Sequence, residues 1–243
     1  MQGFRFTRRR LLVTAGSGVL GLTVLNTVTG CSAEKPAGKP AGPGASTGTG
    51  DWRRVDLSFV SAYLLVRGGE VAVVDLGTAG SADSIGAALK AAATGWDAVK
   101  HIVVTHKHAD HAGGLASVRP QASAATLYAG AADAPAIDPA VKPVKDGDEV
   151  FGLRIIGTPG HTAGHVSVFD PSTGVLVAGD ALRTTAGLAG SDPQYTEDAA
   201  GAAASVRKLA GLDVRTILPG HGDPLTTGAA DALRKLADSL PAG

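Results

Sequence analysis

Three histidines lie within six residues, in Thr105-His106-Lys107-His108-Ala109-Asp110-His111, with an aspartate set among them. Imidazole is a common ligand for zinc and its neighbours, and a carboxylate adds the charge that neutralises one cation or bridges two. In extended backbone, residues two apart project to the same side, so His106 and His108 can share one ion. Asp110 is two residues further on, and His111 falls where the chain turns towards a helix ahead of Gly113-Gly114. One short stretch can therefore serve two adjacent metals. A lone histidine is usually structural; three around an acid in so short a span point to a metal site.

Three more candidates are distant in sequence but similarly placed. His161 follows Gly157-Thr158-Pro159-Gly160, Asp180 closes Val177-Ala178-Gly179-Asp180, and His221 stands between Gly220 and Gly222. Like His106, each comes soon after a short apolar run of strand character: residues 101–105, 150–156, 175–178 and 214–218. Side chains at strand ends gather on one rim of a sheet, and stiff strands behind them hold ligands in position. Elsewhere, β-rich runs at 55–66 and 70–75 meet at the hairpin signal Arg67-Gly68-Gly69. A strand at 166–169 joins the one at 175–178 through the turn Asp170-Pro171-Ser172-Thr173-Gly174. Residues 81–93, 199–209 and 229–240 are patterned as helices. Strands and helices are interspersed, which excludes all-α and all-β classes.

With 243 residues, 44% apolar and 18% charged, the chain can bury a substantial core and is too apolar for global disorder. Basic and acidic groups number 22 each, so no basic surface points to a nucleic-acid partner. A single cysteine permits neither an intramolecular disulfide nor a cysteine-based zinc cluster. Arg5, Arg8, Arg9 and Arg10 head residues 1–30, which contain no acid, and the remainder is mildly acidic. That basic head, followed by a glycine-interrupted apolar run from Leu11 to Val28, is the layout of an export signal. Thr7-Arg8-Arg9-Arg10-Leu11-Leu12 resembles a twin-arginine signal, and Val28-Thr29-Gly30-Cys31 resembles a lipobox in which Cys31 is lipidated. Residues 31–50, rich in alanine, glycine and proline, are expected to be a flexible linker to a folded domain at 51–243. The expected location is the outer face of the cytoplasmic membrane, with a lipid as anchor.

Together these strings resemble the metallo-β-lactamase superfamily. The match runs through Val73-Val74-Asp75-Leu76-Gly77, the 105–111 string, Thr158-Pro159-Gly160-His161-Thr162-Ala163-Gly164-His165, Gly179-Asp180 and Gly220-His221-Gly222. The resemblance implies an α/β fold of the αββα sandwich type, two mixed sheets face to face with helices outside. It implies one metal held by His106, His108 and His161, a second by Asp110, His111 and His221, and Asp180 bridging both. Two zinc ions are the implied cofactors, with iron or manganese as alternatives. Asp75 would orient ligands by hydrogen bonding, and His165 would make a structural hydrogen bond rather than ligate.

Two such ions can share a hydroxide that attacks an electrophile, with Asp110 accepting the proton of the nucleophilic water. The leading expectation is hydrolysis of a small ester, lactone or thioester. Metallo-β-lactamases proper usually lack the bridging aspartate, so Asp180 argues against antibiotic hydrolysis. Only 22 residues follow His221, too few for the helical substrate domain of glyoxalase II-type thioesterases. Two rival readings are an iron-dependent persulfide dioxygenase and a surface lipoprotein that binds metal without catalysis. Arg183 and Tyr195 follow Asp180 and are weaker candidates for substrate contact; His101 is expected to be incidental.

Overall fold

The computed structural model describes residues 52–241. The signal-like segment, Cys31 and the linker lie outside the described residues. Strands β1 (Trp52–Asp56), β2 (Ser61–Arg67), β3 (Glu70–Val74), β4 (Val99–Val104), β5 (Thr126–Gly130) and β6 (Lys142–Val144) form one sheet in that order. Its first three strands pair antiparallel and those from β3 onwards pair parallel. A second sheet contains β7 (Glu149–Val150), β8 (Leu153–Gly157), β9 (Val166–Asp170), β10 (Val175–Gly179) and, beyond β10, β13 (Thr216–Pro219). Short strands β11 (Leu182–Arg183) and β12 (Ala189–Gly190) pair with each other. Helices α1 (Ala82–Ala91), α2 (Ala109–Ala112), α3 (Leu115–Val118) and α4 (Ala134–Ile137) accompany the first sheet. Helices α5 (Ala199–Ala210) and α6 (Ala229–Ser239) cover the second.

Side-chain alternation builds the layers. Val71 and Val73 of β3 pack outwards on Ile85 and Leu89 of α1, while Ala72 and Val74 face inwards to Ile155, Val168 and Val177. Val175 and Val177 of β10 join that inner core, and Leu176 and Ala178 pack on Val206, Leu209 and Leu233 of the outer helices. Both faces of each sheet are covered, which is why these strands are continuous apolar runs rather than alternating ones. The result is an αββα sandwich with three apolar layers.

Two long strand expectations are corrected. Residues 55–66 are not one strand but the hairpin of β1 and β2, because Ser58 takes a left-handed conformation (φ 80°) and its N–H donates to Asp56 Oδ1. Residues 150–156 break similarly at Phe151 and Gly152, both with positive φ, into β7 and β8. Strands β5 and β6 were not expected: Thr126–Gly130 is short and ends in alanine and glycine, and β6 carries Pro143, tolerated at a sheet edge.

Strand direction places the site. β3, β4 and β5 run parallel, so their C-terminal ends share a rim. In the second sheet β9 opposes both β8 and β10, and β13 is parallel to β10, so β8, β10 and β13 also end together. The two rims are stitched by Val166 N–H to Thr105 O (2.9 Å) and the Tyr63 hydroxyl to Pro219 O (2.7 Å). Every ligand candidate sits just beyond one of these strand ends, Asp110 and His111 in the short helix α2 and the others in turns.

Candidate metal centre

The seven side chains converge at this rim in two groups. In the first, His106 Nε2 is 3.0 Å from His108 Nδ1 and 3.2 Å from His161 Nε2, and the latter two atoms are 2.9 Å apart. In the second, Asp110 Oδ2 is 3.2 Å from His221 Nε2 and 3.8 Å from His111 Nε2. Asp180 stands between them, with Oδ2 at 3.4 Å from His161 Nε2 and 3.3 Å from His221 Nε2, and Oδ1 at 3.2 Å from His111 Nε2. Gly220 makes room for Asp180, and Gly179 for the His165 ring behind it. A Cβ on Gly220 would lie 2.3 Å from Asp180 Oδ1, and one on Gly179 (φ 53°) 2.7 Å from His165 Nε2.

Hydrogen bonds on the outer side of the rings determine what faces inwards. The Thr105 hydroxyl donates to Asp75 Oδ2 (2.9 Å), so its oxygen accepts from His106 Nδ1–H (3.1 Å). His111 Nδ1–H donates to the same Asp75 oxygen (2.8 Å), and His221 Nδ1–H donates to Phe59 O (2.8 Å). The Thr196 hydroxyl donates to Asp192 O and accepts from Ser191, leaving Ser191 Oγ to accept from His161 Nδ1–H (2.9 Å). Four rings thus carry their proton outwards and, in the neutral form, present bare Nε2 lone pairs to the centre.

Lone pairs so close repel unless a metal cation or a proton lies between them. His111 Nε2 and Asp180 Oδ1 are both buried and, though 3.2 Å apart, are not aligned as donor and acceptor. Each such orphan costs about 1–3 kcal/mol. The nitrogen and carboxylate set fits a divalent cation in each group, with Asp180 able to reach both.

A family model for the metallo-beta-lactamase superfamily matches residues 55–221. The chain belongs to this superfamily. It is 38% identical over 86 residues to a hydroxyacylglutathione hydrolase of Rhodobacter capsulatus, covering 34% of this chain and 33% of that protein. It is 30% identical over 173 residues to a beta-lactamase-like protein 2 homolog of Caenorhabditis elegans, covering 68% and 57%. The chain therefore spans less than two thirds of either relative. Among solved structures, a metallo-beta-lactamase family protein of Thermus thermophilus superposes with a TM-score of 0.60 at 25% identity, over 77% of each chain.

Within this superfamily member, the two groups differ in their electrostatics. Burial pushes the His106 and His161 imidazoles below their ordinary pKa, which favours the neutral, ligating form. Burial opposes charge at His111 as well, but the Asp180 and Asp75 carboxylates outweigh it and raise its pKa well above the ordinary value. Hydrogen bonds to Asp110 and Asp180 push His221 up to about 10. The His221 contact in turn holds Asp110 below the usual carboxylate range. His106, His111 and His161 are buried, whereas Asp110 and His221 keep 27% and 23% of their side-chain surface, so the centre opens towards solvent on their side.

The remaining candidates have defined places. Asp75, buried and itself in a left-handed conformation (φ 63°), serves both groups: it binds His111 directly and His106 through Thr105. Both ring nitrogens of His165 are taken by hydrogen bonds to groups that are not ligand atoms. Ser167 donates to Ala178 O and accepts from Thr158, which accepts His165 Nδ1–H, so His165 Nε2 accepts the Asp180 N–H (3.0 Å). Burial lowers its pKa to about 3, keeping it neutral for this task. Arg183 is bound to Asp192 Oδ2 (2.5 Å) and Gly190 O, and does not join the centre. Tyr195 is 59% exposed on the neighbouring loop. His101 lies inside β4, stacked on Phe151 at 4.9 Å.

Sequence reasoning missed Thr105, Thr158 and Ser191. The two threonines stand inside the quoted strings, where a hydroxyl beside the histidine stretch is a usable signal. Ser191 has none: it lies 30 residues from His161.

Proposed function

We propose that the chain is a dinuclear metal-dependent hydrolase acting on a small ester, lactone or thioester. The observation that carries this reading is the closure of seven side chains around two cation positions, with Asp180 between them. Divalent cations bound there would supply Lewis acidity and lower the pKa of bound water towards ~7. The protein's part is then to hold and orient. Asp180 ties the groups together, Asp75 fixes the tautomers of His106 and His111, and Asp110, on the open side, is placed to accept a proton from an attacking water. The relative named for hydroxyacylglutathione hydrolysis supports an acyl-group substrate.

Zinc is the proposed metal at both positions, on the strength of the histidine-rich donor set. We further infer export and lipid anchoring through Cys31, which rests on residues 1–31 of the sequence alone. A Cys31→Ala chain released from the membrane fraction, where the parent chain is retained, would support the anchor.

The deciding experiment is turnover of an ester, lactone and thioester panel by the purified chain, with metal content measured in the same sample. Two bound zinc equivalents with hydrolysis that stops in His108→Ala is the expected result. Two bound metals with no turnover across the panel points to metal binding without catalysis. One iron with oxygen consumption on a persulfide replaces hydrolase with dioxygenase.

A further inference from the structure

Asp133 is fully buried at the same rim, just past β5, and belongs to neither group of ligands. Its Oδ2 accepts the Lys107 N–H (3.0 Å) and the Thr162 hydroxyl (2.6 Å), and its Oδ1 accepts the Gly164 N–H (3.0 Å). Lys107 is the residue between His106 and His108, and Thr162 and Gly164 follow His161. One carboxylate thus grips both loops that supply the three imidazoles of the first group. It makes no hydrogen bond to Asp110, His111 or His221.

The grip is close-fitting. A Cβ on Gly164 would lie 2.7 Å from Asp133 Cγ, and one on Gly130 would lie 1.9 Å from Gly164 O. An outer strap crosses the same two loops: Lys107 Nζ pairs with Glu197 Oε1 (2.8 Å), while Glu197 Oε2 accepts the Ala163 N–H (3.1 Å). Exposed pairs of that kind contribute little. A buried carboxylate accepting two backbone N–H groups and a hydroxyl is a far stiffer tie, because losing it strands N–H donors away from water.

We propose that Asp133 is a positioning residue for one metal alone: by locking residues 106–108 to residues 161–164, it sets the spacing of His106, His108 and His161 and hence the affinity of that position. This rests on the reading that each group holds a cation. Asn at 133 keeps the shape but offers one acceptor oxygen and places an NH2 group where the other backbone N–H must be received.

The test is titration of the metal-free full chain with cobalt(II) alone, followed by absorbance. The step that His108→Ala abolishes identifies the first group. In Asp133→Asn that step should weaken by roughly 10–100-fold, as loss of an outer partner typically costs, with the other step within about twofold of the parent. Thr162→Val removes one of the three bonds and should shift the same step less, which keeps the test available if Asp133→Asn folds poorly. Equal weakening of both steps, or of neither, in a parent chain that binds two cobalt ions would overturn the inference and leave the function reading standing. A parent chain that binds fewer than two would overturn that reading, and the inference with it.

Discussion

The two ligand groups lie side by side yet are made differently. His106, His108 and His161 come from two loops and form an all-imidazole tripod, two of its rings buried and pushed below their ordinary pKa by desolvation. Asp110, His111 and His221 mix carboxylate with imidazole on the open side, and their histidines are pushed up by the carboxylates around them. The His106 and His161 rings are therefore ready for a cation over a wide pH range. The second holds protons until a cation displaces them. Proximity to carboxylates has opposite consequences in the two states, stabilising a proton in one and a metal in the other.

The largest effect should come from erasing the difference. Asp180→Ala removes the one side chain that reaches both groups, so both cobalt-binding steps and hydrolysis should fall by more than the roughly 10–100-fold that loss of an outer partner costs. Retention of either step at parental strength would show that Asp180 serves only one group. Lowering the pH should sharpen the contrast instead. With His221 raised to about 10, that ring is protonated at pH 8 in the metal-free chain, so metal binding at the second group releases a proton there. The affinity of that group should fall by about tenfold per pH unit for each proton displaced, as pH drops from 8 to 7, a dependence that the neutral His106 and His161 rings do not add to the first group. Calorimetry in buffers of different ionisation enthalpy counts those protons; equal release at both steps would contradict the comparison.

Smaller effects probe the hydrogen bonds behind the rings. Asp75→Asn loosens His111 directly and His106 through Thr105, so both steps should weaken by about 10–100-fold in the cobalt titration. Of the ligands, Ser191→Ala touches only His161, at Nδ1, and should weaken the first group alone by about tenfold or less. A shift of the second group in Ser191→Ala would mean that the loops move as one body.

How far the sequence could be followed depended on whether partners were local. The 105–111 string announces itself because His106 and His108 are two residues apart, and because α2 (Ala109–Ala112) brings Asp110 and His111 in within the same short stretch. The buried strands β3 and β10 were visible as apolar runs, since both of their faces are covered. The break at residues 57–60 was not, because Ser58 is an ordinary residue held in a left-handed conformation by Asp56. Nor were β5 and β6, whose composition is weak and whose place is set by parallel pairing, β5 to β4 and β6 to β5. Asp133 escaped notice for a related reason: a single aspartate among alanines becomes informative only once Lys107, Thr162 and Gly164 are found around it.

The sequence by itself determined the chemistry available: seven nitrogen and carboxylate donors, each soon after an apolar strand, and the superfamily to which they belong. Only the tertiary structure decided which rings face inwards with bare nitrogens, and which carboxylates and hydroxyls hold them so. Tautomers and pKa values are set by neighbours a few ångströms away, and here those neighbours are drawn from loops up to 162 residues apart, as with His221 and Phe59. Chain order carries the donors; folding supplies the field in which they act.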